Sequence, residues 1–233
     1  MRENVSFSFG PLALINNIEN KFNFFEILFE GLGGKAKTLK DSAKLFAYNK
    51  LAESISINKI QDIYPYELFE ELNLKEISDR TLYRNLERIG NNYKFLIENY
   101  QKFIKMKNLV SEEQFVDFSS TYFEGNNSEL GMLGYSRDNQ PGKKQIVFGI
   151  STGMNEIPTA LTIQKGNVCD KTHMGFMLNT VGKVLDKNSL LIFDCGGNTK
   201  KNKQKIIDRE FNYLTLKAKK KKTYLSYISL FNQ

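Results

Sequence analysis

The hydrophobic pattern of this chain changes near residue 110, and that change restricts the fold more than any other feature. Residues 11–108 repeat apolar side chains at helical spacing within long polar runs. Residues 115–216 instead alternate short strand-like segments with one or two helices. We therefore expect an α/β chain with a helical region at 1–110, a second domain at 111–233 and a junction at Ser111–Gln114.

The second region predicts the order β-β-β-α-β-α-β. Its strand candidates are EQFVDFSSTYFEG, QIVFGIST, IPTALTIQKGN, SLLIFDCGG and FNYLTLKAK, and its helix candidates are CDKTHMGFMLNTVGKVLD and NTKKNKQKIIDRE. Three consecutive strands favour an antiparallel meander, and the following βαβαβ unit favours parallel additions to the same sheet. The apolar run LLIF predicts a strand buried on both faces, and Asp170 is the candidate cap of the first helix.

The first region predicts three helices. One covers about Leu39 to Ile55, and a shorter one follows with Pro65 in its first turn. The third, in EISDRTLYRNLERIG, has Ser78 or Asp79 as its N-cap and Gly90 at its end.

The third helix carries two rows of side chains. Its apolar stripe is expected at Leu82, Leu86 and Ile89, and its basic row comprises Arg80, Arg84 and Arg88. Two helices joined by a short segment, the second with a basic row, suit a helix-turn-helix that lies on DNA. Because Glu87 dilutes the charge of that helix, an ordinary helical hairpin with a solvated polar face is the alternative.

Composition excludes several classes of protein. With 41% hydrophobic and 25% charged residues, the chain is neither disordered nor fibrous. It contains no apolar run of about 18 residues and no signal-peptide pattern, so no membrane partner is expected. Cys169 and Cys195 are too few for a disulfide framework and lack zinc-site spacing, which favours a reduced, cytoplasmic protein. The single histidine, His173, argues against His-based catalysis and is expected to be a packed or surface residue.

The positive charge is concentrated at the end of the sequence. The whole chain carries +7, but residues 195–233 alone hold 10 basic and 2 acidic side chains. A block of this kind attracts polyanions, of which nucleic-acid backbones are the commonest. A solvated basic face is the alternative.

Two aspartates stand where a carboxylate is costly. Asp117 lies within the first strand, and Asp194 follows the apolar run of the fourth. A buried carboxylate needs a partner or a metal ion, and two carboxylates on neighbouring strands would repel each other without a divalent cation. Mg²⁺ prefers oxygen ligands of this kind. The alternative is that each aspartate caps a turn or a following helix.

Four motifs follow one another between about Phe115 and Leu216. They are VDFSSTYFEG around Asp117, GYSRD from Gly134 with Pro141 and Lys143 after it, a Gly-Asn…Asp stretch at Gly166, Asn167 and Asp170, and a hydrophobic-Asp-x-Gly run at Asp194 and Gly196. In this order they resemble the catalytic core of an insertion-sequence transposase of the DDE class, within the insertion-sequence-four superfamily.

The resemblance implies an RNase H-like fold, incomplete at the C-terminus, after a helical DNA-binding region. Asp117 and Asp194 would be the catalytic residues and would hold two Mg²⁺ or Mn²⁺ ions for phosphoryl transfer. The partner would be double-stranded DNA, as transposon terminal repeats and as target, in a prokaryotic nucleoid, and a homodimer is compatible with this role. The residues expected on DNA are Arg80, Arg84, Arg88, Arg137, Lys143, Lys200, Lys201, Lys203, Lys205, Lys219, Lys220, Lys221 and Lys222.

The sequence departs from this family at the third acid. The family carries a downstream glutamate in a Tyr…Arg…Glu…Lys signature, whereas Glu210, the one glutamate beyond Asp194, lies in DREFNYL. We therefore expect a C-terminally truncated transposase with weakened metal binding. A non-catalytic DNA-binding or inhibitory fragment is the alternative, and an RNase H-like nuclease acting on RNA–DNA hybrid is a third interpretation.

Overall fold

The structure, a computed structural model, describes residues 7–33, 36–125, 127–135 and 139–216. The chain forms two compact units, Met1–Phe103 and Ile104–Gln233. The division between them falls within a helix, Tyr93–Met106. No helix in the described ranges is both long and apolar enough to cross a membrane.

The first unit is built from helices, as the sequence predicts. They are α1 Phe9–Phe22, α2 Phe24–Phe29, α3 Ala36–Leu51, α4 Ile60–Ile63, α5 Tyr66–Glu71, α6 Asp79–Asn91 and α7 Tyr93–Met106, with a 3-10 turn at Ile57–Lys59. The helix expected at Leu39–Ile55 therefore starts and ends earlier than predicted. Pro65 is the N-cap residue of α5 rather than part of its first turn.

The core of the first unit is apolar and nearly closed to solvent. Tyr48 and Tyr64 pack edge to face with ring centroids 5.2 Å apart, and the Tyr64 hydroxyl donates to Asn49 Oδ1 at 2.8 Å. Helices this short are marginal alone, so burial of apolar surface, worth about 25 cal/mol per Å², holds them. The largest fully buried side chains here are Leu12, Leu45, Tyr48, Ile60, Leu68, Leu72 and Leu82.

Helix α6 begins as predicted and ends differently. The Ser78 hydroxyl caps it by accepting a hydrogen bond from the Thr81 N–H at 3.3 Å. The helix continues through Gly90 to Asn91, because Gly90 does not adopt the left-handed conformation that ends a helix.

The buried face of α6 also differs from the predicted apolar stripe. Leu82 is fully buried and Ile89 is half-buried, but Leu86 is 43% exposed. Asn85 takes the inward position and donates a hydrogen bond to Ser42 Oγ of α3 at 2.9 Å. The helix is therefore rotated so that a polar residue, paired with a polar partner, replaces the predicted leucine.

The second unit holds a five-stranded mixed sheet. Its strands are β1 Glu113–Tyr122, β2 Gln145–Gly153, β3 Pro158–Lys165, β4 Leu190–Phe193 and β5 Asn212–Thr215, in the spatial order β3-β2-β1-β4-β5. The first three strands pair antiparallel, whereas β4 pairs parallel with both β1 and β5. Helices α8 Asp170–Val181 and α9 Lys200–Ile207 make the crossovers. This confirms the predicted α/β class, a helical N-terminal region followed by an RNase H-like mixed sheet.

The two faces of the sheet differ in burial. Val116 and Phe118 of β1 lie on a closed face, which α8 covers, and Phe115 and Asp117 lie on the exposed, open face. In β4, Leu190 and Ile192 are only half-buried, and Ile192 is in register with Phe115 of the open face. The prediction that this strand is buried on both faces is therefore wrong.

Two motif glycines allow close approach of the backbone. A side chain at Gly166 would collide with the carbonyl oxygens of Gln145 and Met132. A side chain at Gly134 would collide with the carbonyl oxygen of Gly166. Both glycines adjoin the β-bridge between Met132 and Gln145. The glycines of these two motifs thus have a packing role in the fold.

Candidate active site and nucleic-acid interface

Asp117 and Asp194 lie at equivalent positions on neighbouring parallel strands. The last registered pair between β1 and β4 is Val116 with Phe193. Asp117 is the next residue of β1, and Asp194 is the first residue after β4, so the parallel register brings both to the same level of the sheet. This is the juxtaposition that the spacing of the two acids along the sequence left open.

The carboxylates of this pair are exposed and held by nearby backbone amides. The Phe118 N–H donates to Asp117 Oδ1 at 2.8 Å, and the Gly196 N–H donates to Asp194 Oδ1 at 2.9 Å. Thr215 Oγ1 of β5 donates to the Asp194 carbonyl at 2.9 Å and ties the end of β4 to β5. The expectation of a costly buried position is wrong, because Asp117 belongs to the open face and Asp194 follows the strand end.

A third carboxylate, that of Asp170, approaches Asp194 from the start of α8. A side chain at Gly196 would come within 2.7 Å of Asp170 Oδ2 and 3.1 Å of Asp194 Oδ1. The two oxygens therefore border one space, which exists because residue 196 is a glycine. Asp170 is the first residue of α8, and Cys169 is the N-cap, so the predicted capping role of Asp170 is wrong.

The sequence contained a signal for Asp170, namely its place in the Gly-Asn…Asp motif. That motif alone did not distinguish a site residue from a helix cap. The contact with Gly196 depends on how α8 and the loop after β4 meet in space, which no local pattern reports.

The two cysteines near this site are exposed and free. The Thr172 hydroxyl, 3.5 Å from Cys169 Sγ, lowers the pKa of that thiol. A lower pKa increases the thiolate fraction and hence the reactivity of an accessible cysteine.

A divalent cation fits this donor set in part. Asp117 and Asp194 offer carboxylate oxygens, which Mg²⁺ and Mn²⁺ bind. The hydrogen bonds from backbone N–H groups to Oδ1 of each residue orient both carboxylates. In the described part of the chain, no group of three or more His, Cys, Asp or Glu side chains is arranged to hold a metal ion. The two aspartates would therefore need water or phosphate oxygens as further ligands.

The lysines of α9 differ in exposure. Lys200 and Lys201, at the start of the helix and a short loop after Asp194, are exposed. Lys203 is half-buried with its ammonium 5.9 Å from the Tyr213 ring centroid, and Lys205 is half-buried as well. The first two are thus the lysines of α9 best placed to reach a phosphate in solvent.

The other basic residues expected on DNA in this unit are engaged elsewhere or lie outside the described residues. Lys143 pairs with Glu124 at 2.6 Å, and its ammonium lies 4.9 Å from the Tyr122 ring centroid. Arg137 and the run Lys219 to Lys222 fall outside the residues that the structure describes.

In the first unit, α6 exposes a mixed polar and aromatic face. Arg80 and Arg84 are exposed, and Arg88 is half-buried. Tyr83, 49% exposed, lies one turn after Arg80 and directly before Arg84 in the sequence, and the sequence did not single it out. The signal for it is an aromatic residue beside arginines on a polar helix face, because such rings stack on nucleic-acid bases.

Comparison with known proteins gives weak likenesses. No family model and no curated protein matches the sequence. Among the solved structures that the chain resembles is the Mos1 transposase paired-end complex with left transposon end, at 12% sequence identity and a TM-score of 0.33. A pre-cleavage Mos1 transpososome is similar at 11% identity and a TM-score of 0.29. The Mos1 strand transfer complex is similar at 12% identity and a TM-score of 0.30.

These likenesses cover 74% to 76% of this chain but only 57% to 59% of the chains matched. This chain therefore spans less than two thirds of their length. At such identities and TM-scores, the likeness carries no assignment of site or activity.

Proposed function

We propose that this chain is an insertion-sequence transposase of the DDE class, which binds transposon-end DNA and cuts and joins its strands. The observation that carries the proposal is the pair of exposed carboxylates of Asp117 and Asp194, each one residue beyond the last registered pair of the parallel strands β1 and β4. Ligand sites of α/β sheets gather at the carboxyl ends of parallel strands, where Asp194 lies.

The reaction proposed is two successive phosphoryl transfers. A water oxygen bonds to a phosphorus at the transposon end, the bond from that phosphorus to the 3′ oxygen breaks, and a 3′-hydroxyl is released. That hydroxyl then attacks a phosphorus of target DNA and displaces another 3′ oxygen. Mg²⁺ or Mn²⁺, held by Asp117 and Asp194, would supply charge stabilisation at the attacking and leaving oxygens.

The protein's own contribution is to orient the two carboxylates and to hold DNA. The Phe118 and Gly196 amides fix one oxygen of each carboxylate. Lys200 and Lys201 would bind phosphates close to the site, in a salt-dependent manner. Arg80 and Arg84 of α6 would contact DNA from the first unit.

DNA cleavage by the purified chain tests the proposal. The substrates are labelled duplexes that carry the genomic DNA on each side of the coding sequence, incubated with Mg²⁺ or Mn²⁺. We expect nicks at defined positions in wild type and their loss in Asp117→Asn and Asp194→Asn. The matched control is Glu113→Gln, another exposed acid of β1 on the same face, which should leave nicking unchanged.

Two outcomes contradict the assignment. Nicking that persists in both aspartate variants would mean that another site is responsible. Preferential cleavage of an RNA–DNA hybrid over duplex DNA would favour the third interpretation, an RNase H-like nuclease.

A second function, DNA binding without catalysis, is favoured by one observation. Among the described residues, no third acid completes a metal site with Asp117 and Asp194. Such a protein would bind transposon ends and compete with an intact enzyme. It predicts a gel shift that is insensitive to both Asp→Asn changes, with no nicking at any concentration of Mn²⁺.

A further inference from the structure

The single histidine of the chain is fully buried and packs against the residue next to Asp117. His173 lies on α8, and its ring centroid is 4.8 Å from that of Phe118, at an interplanar angle of 38°. Its Nε2 is 2.8 Å from Thr162 Oγ1 of β3, where the two groups share a hydrogen bond. A hydrogen bond on one side and a ring contact on the other fix the orientation of this imidazole.

The Phe118 ring is also held from the strand side. Phe118 is in register with Gly149 of β2, and Gly149 is in register with Thr162 of β3. A side chain at Gly149 would come within 2.7 Å of the Phe118 ring and 3.0 Å of Thr162 Oγ1. The ring therefore occupies the space above a glycine while His173 packs on it from α8.

This packing reaches Asp117 through one backbone group. The Phe118 N–H donates the 2.8 Å hydrogen bond to Asp117 Oδ1. Because side chains alternate along a strand, Phe118 points to the closed face while Asp117 points to the open face. Fixing the Phe118 ring fixes its backbone, and the backbone N–H then fixes the carboxylate on the opposite face.

We infer that His173 is a positioning residue for Asp117 and acts through Phe118. The inference rests on the proposed function only in taking Asp117 as a metal ligand. His173 itself touches neither substrate nor cation. Its contribution is to reduce the freedom of the amide donor that orients the carboxylate, as outer groups do for metal ligands in general.

Nuclear magnetic resonance of the Phe118 amide tests this directly. We expect His173→Ala to move the Phe118 amide proton upfield, because its hydrogen bond to the Asp117 carboxylate weakens. Thr162→Val, which removes the hydrogen bond to Nε2 together with the 3.5 Å hydrogen bond from Thr162 Oγ1 to the Gly149 carbonyl, should move it in the same direction by less. His173→Phe keeps a ring over Phe118 and should restore part of the shift.

Mn²⁺ affinity, measured by electron paramagnetic resonance, is the second readout. His173→Ala should weaken it about tenfold, the low end for groups that orient metal ligands. The matched control is Val181→Ala, which removes an equally buried side chain about 12 Å further along α8. The control should lower the unfolding temperature without moving the Phe118 amide or the Mn²⁺ affinity.

The inference fails if His173→Ala and Val181→Ala lower the unfolding temperature alike and neither moves the Phe118 amide, since His173 would then be ordinary core. Failure of the proposed function looks different: wild type would bind Mn²⁺ no better than Asp117→Asn. In that case the amide shift alone decides whether His173 positions Asp117. Should His173→Ala fail to fold, the Phe118 amide shift and the Mn²⁺ affinity of Thr162→Val are compared with those of Val181→Ala instead.

Discussion

The Asn85 amide of α6 donates a buried hydrogen bond to the Ser42 hydroxyl of α3, and this bond sets the side of α6 that faces outward. Turning the helix to bury Leu86 would leave both polar groups without a hydrogen-bond partner. The free energy lost in this way exceeds what the leucine would gain by becoming fully buried. The exposed positions of Arg80, Tyr83 and Arg84 follow from that rotation.

The first prediction concerns this hydrogen bond. Asn85→Ala should lower the free energy of unfolding by about 1–3 kcal/mol, because it leaves the Ser42 hydroxyl buried without its donor. Urea denaturation measures the change. Leu86→Ala on the same helix is the control and should cost less. Equal losses in the two variants would show that the Asn85 contact does not orient the helix.

The second prediction concerns DNA binding by α6. The double change Arg80→Ala and Arg84→Ala should weaken DNA binding and reduce the slope of log affinity against log salt by about 1 to 2, as loss of one or two phosphate contacts requires. Fluorescence anisotropy over a salt series provides the slopes. Glu87→Ala, which removes an acid from the same helix, should leave affinity unchanged or raise it. An unchanged slope in the double variant would support the ordinary solvated hairpin.

The third prediction concerns the space beside Gly196. In Gly196→Ala the new methyl group would come within 2.7 Å of Asp170 Oδ2 and 3.1 Å of Asp194 Oδ1, so a carboxylate has to move. Mn²⁺ affinity should fall by about tenfold. The control is Gly125→Ala, because a side chain at Gly125 meets no atom within 4 Å. Equal Mn²⁺ affinity in both variants would exclude this corner from metal binding.

The fourth prediction concerns stability at high pH. Burial, with smaller contributions from Tyr48 and Glu53, raises the pKa of Tyr64 to about 12. An unfolded tyrosine ionises near pH 10. The stability that the raised pKa of Tyr64 contributes is therefore fully present below about pH 10 and is lost as the pH rises toward 12. Tyr64→Phe should flatten this loss, although Tyr48, whose pKa burial also raises, retains part of it.

Urea unfolding of wild type and Tyr64→Phe across this pH range provides the comparison. Tyr83→Phe, at an exposed position, is the control and should follow wild type. Parallel curves for wild type and Tyr64→Phe would mean that Tyr64 ionises as readily in the folded chain as in the unfolded one.

The fifth prediction concerns thiol reactivity. Because the Thr172 hydroxyl lowers the pKa of Cys169, Thr172→Val should slow alkylation of Cys169 at neutral pH. Iodoacetamide labelling in a Cys195→Ser background, followed by mass spectrometry, measures the rate. Alkylation of Cys195 in a Cys169→Ser background is the reference. An unchanged Cys169 rate in Thr172→Val would assign its reactivity to exposure alone.

The strand pattern could be predicted because it is local. Alternation and turn residues located all five strands, and the meander followed by two crossovers gave the mixed sheet. The two aspartates could be singled out because a carboxylate next to an apolar strand is unusual. Their equal level in the sheet depends on the register of β4 against β1, which no local pattern encodes.

Helix details were harder for a physical reason. Leu86 and Asn85 are neighbours, and either could face inward until a partner is known. The choice is made by Ser42, which lies 43 residues earlier in the chain. Gly90 and Asp170 failed as predicted caps for a related reason, since the residue type alone does not fix where a helix begins or ends: α6 continues through Gly90 to Asn91, and Cys169 rather than Asp170 is the N-cap of α8.

The strand order determines which local unfolding event separates the two aspartates of this site. The strand of Asp117 belongs to a meander whose contacts are close in sequence, whereas the strand of Asp194 joins across a helical crossover. Sub-global opening that releases β4 and β5 from β1 would separate the two carboxylates while the meander persists. Hydrogen exchange at the β1–β4 ladder should therefore report the lifetime of the assembled site rather than that of the whole fold.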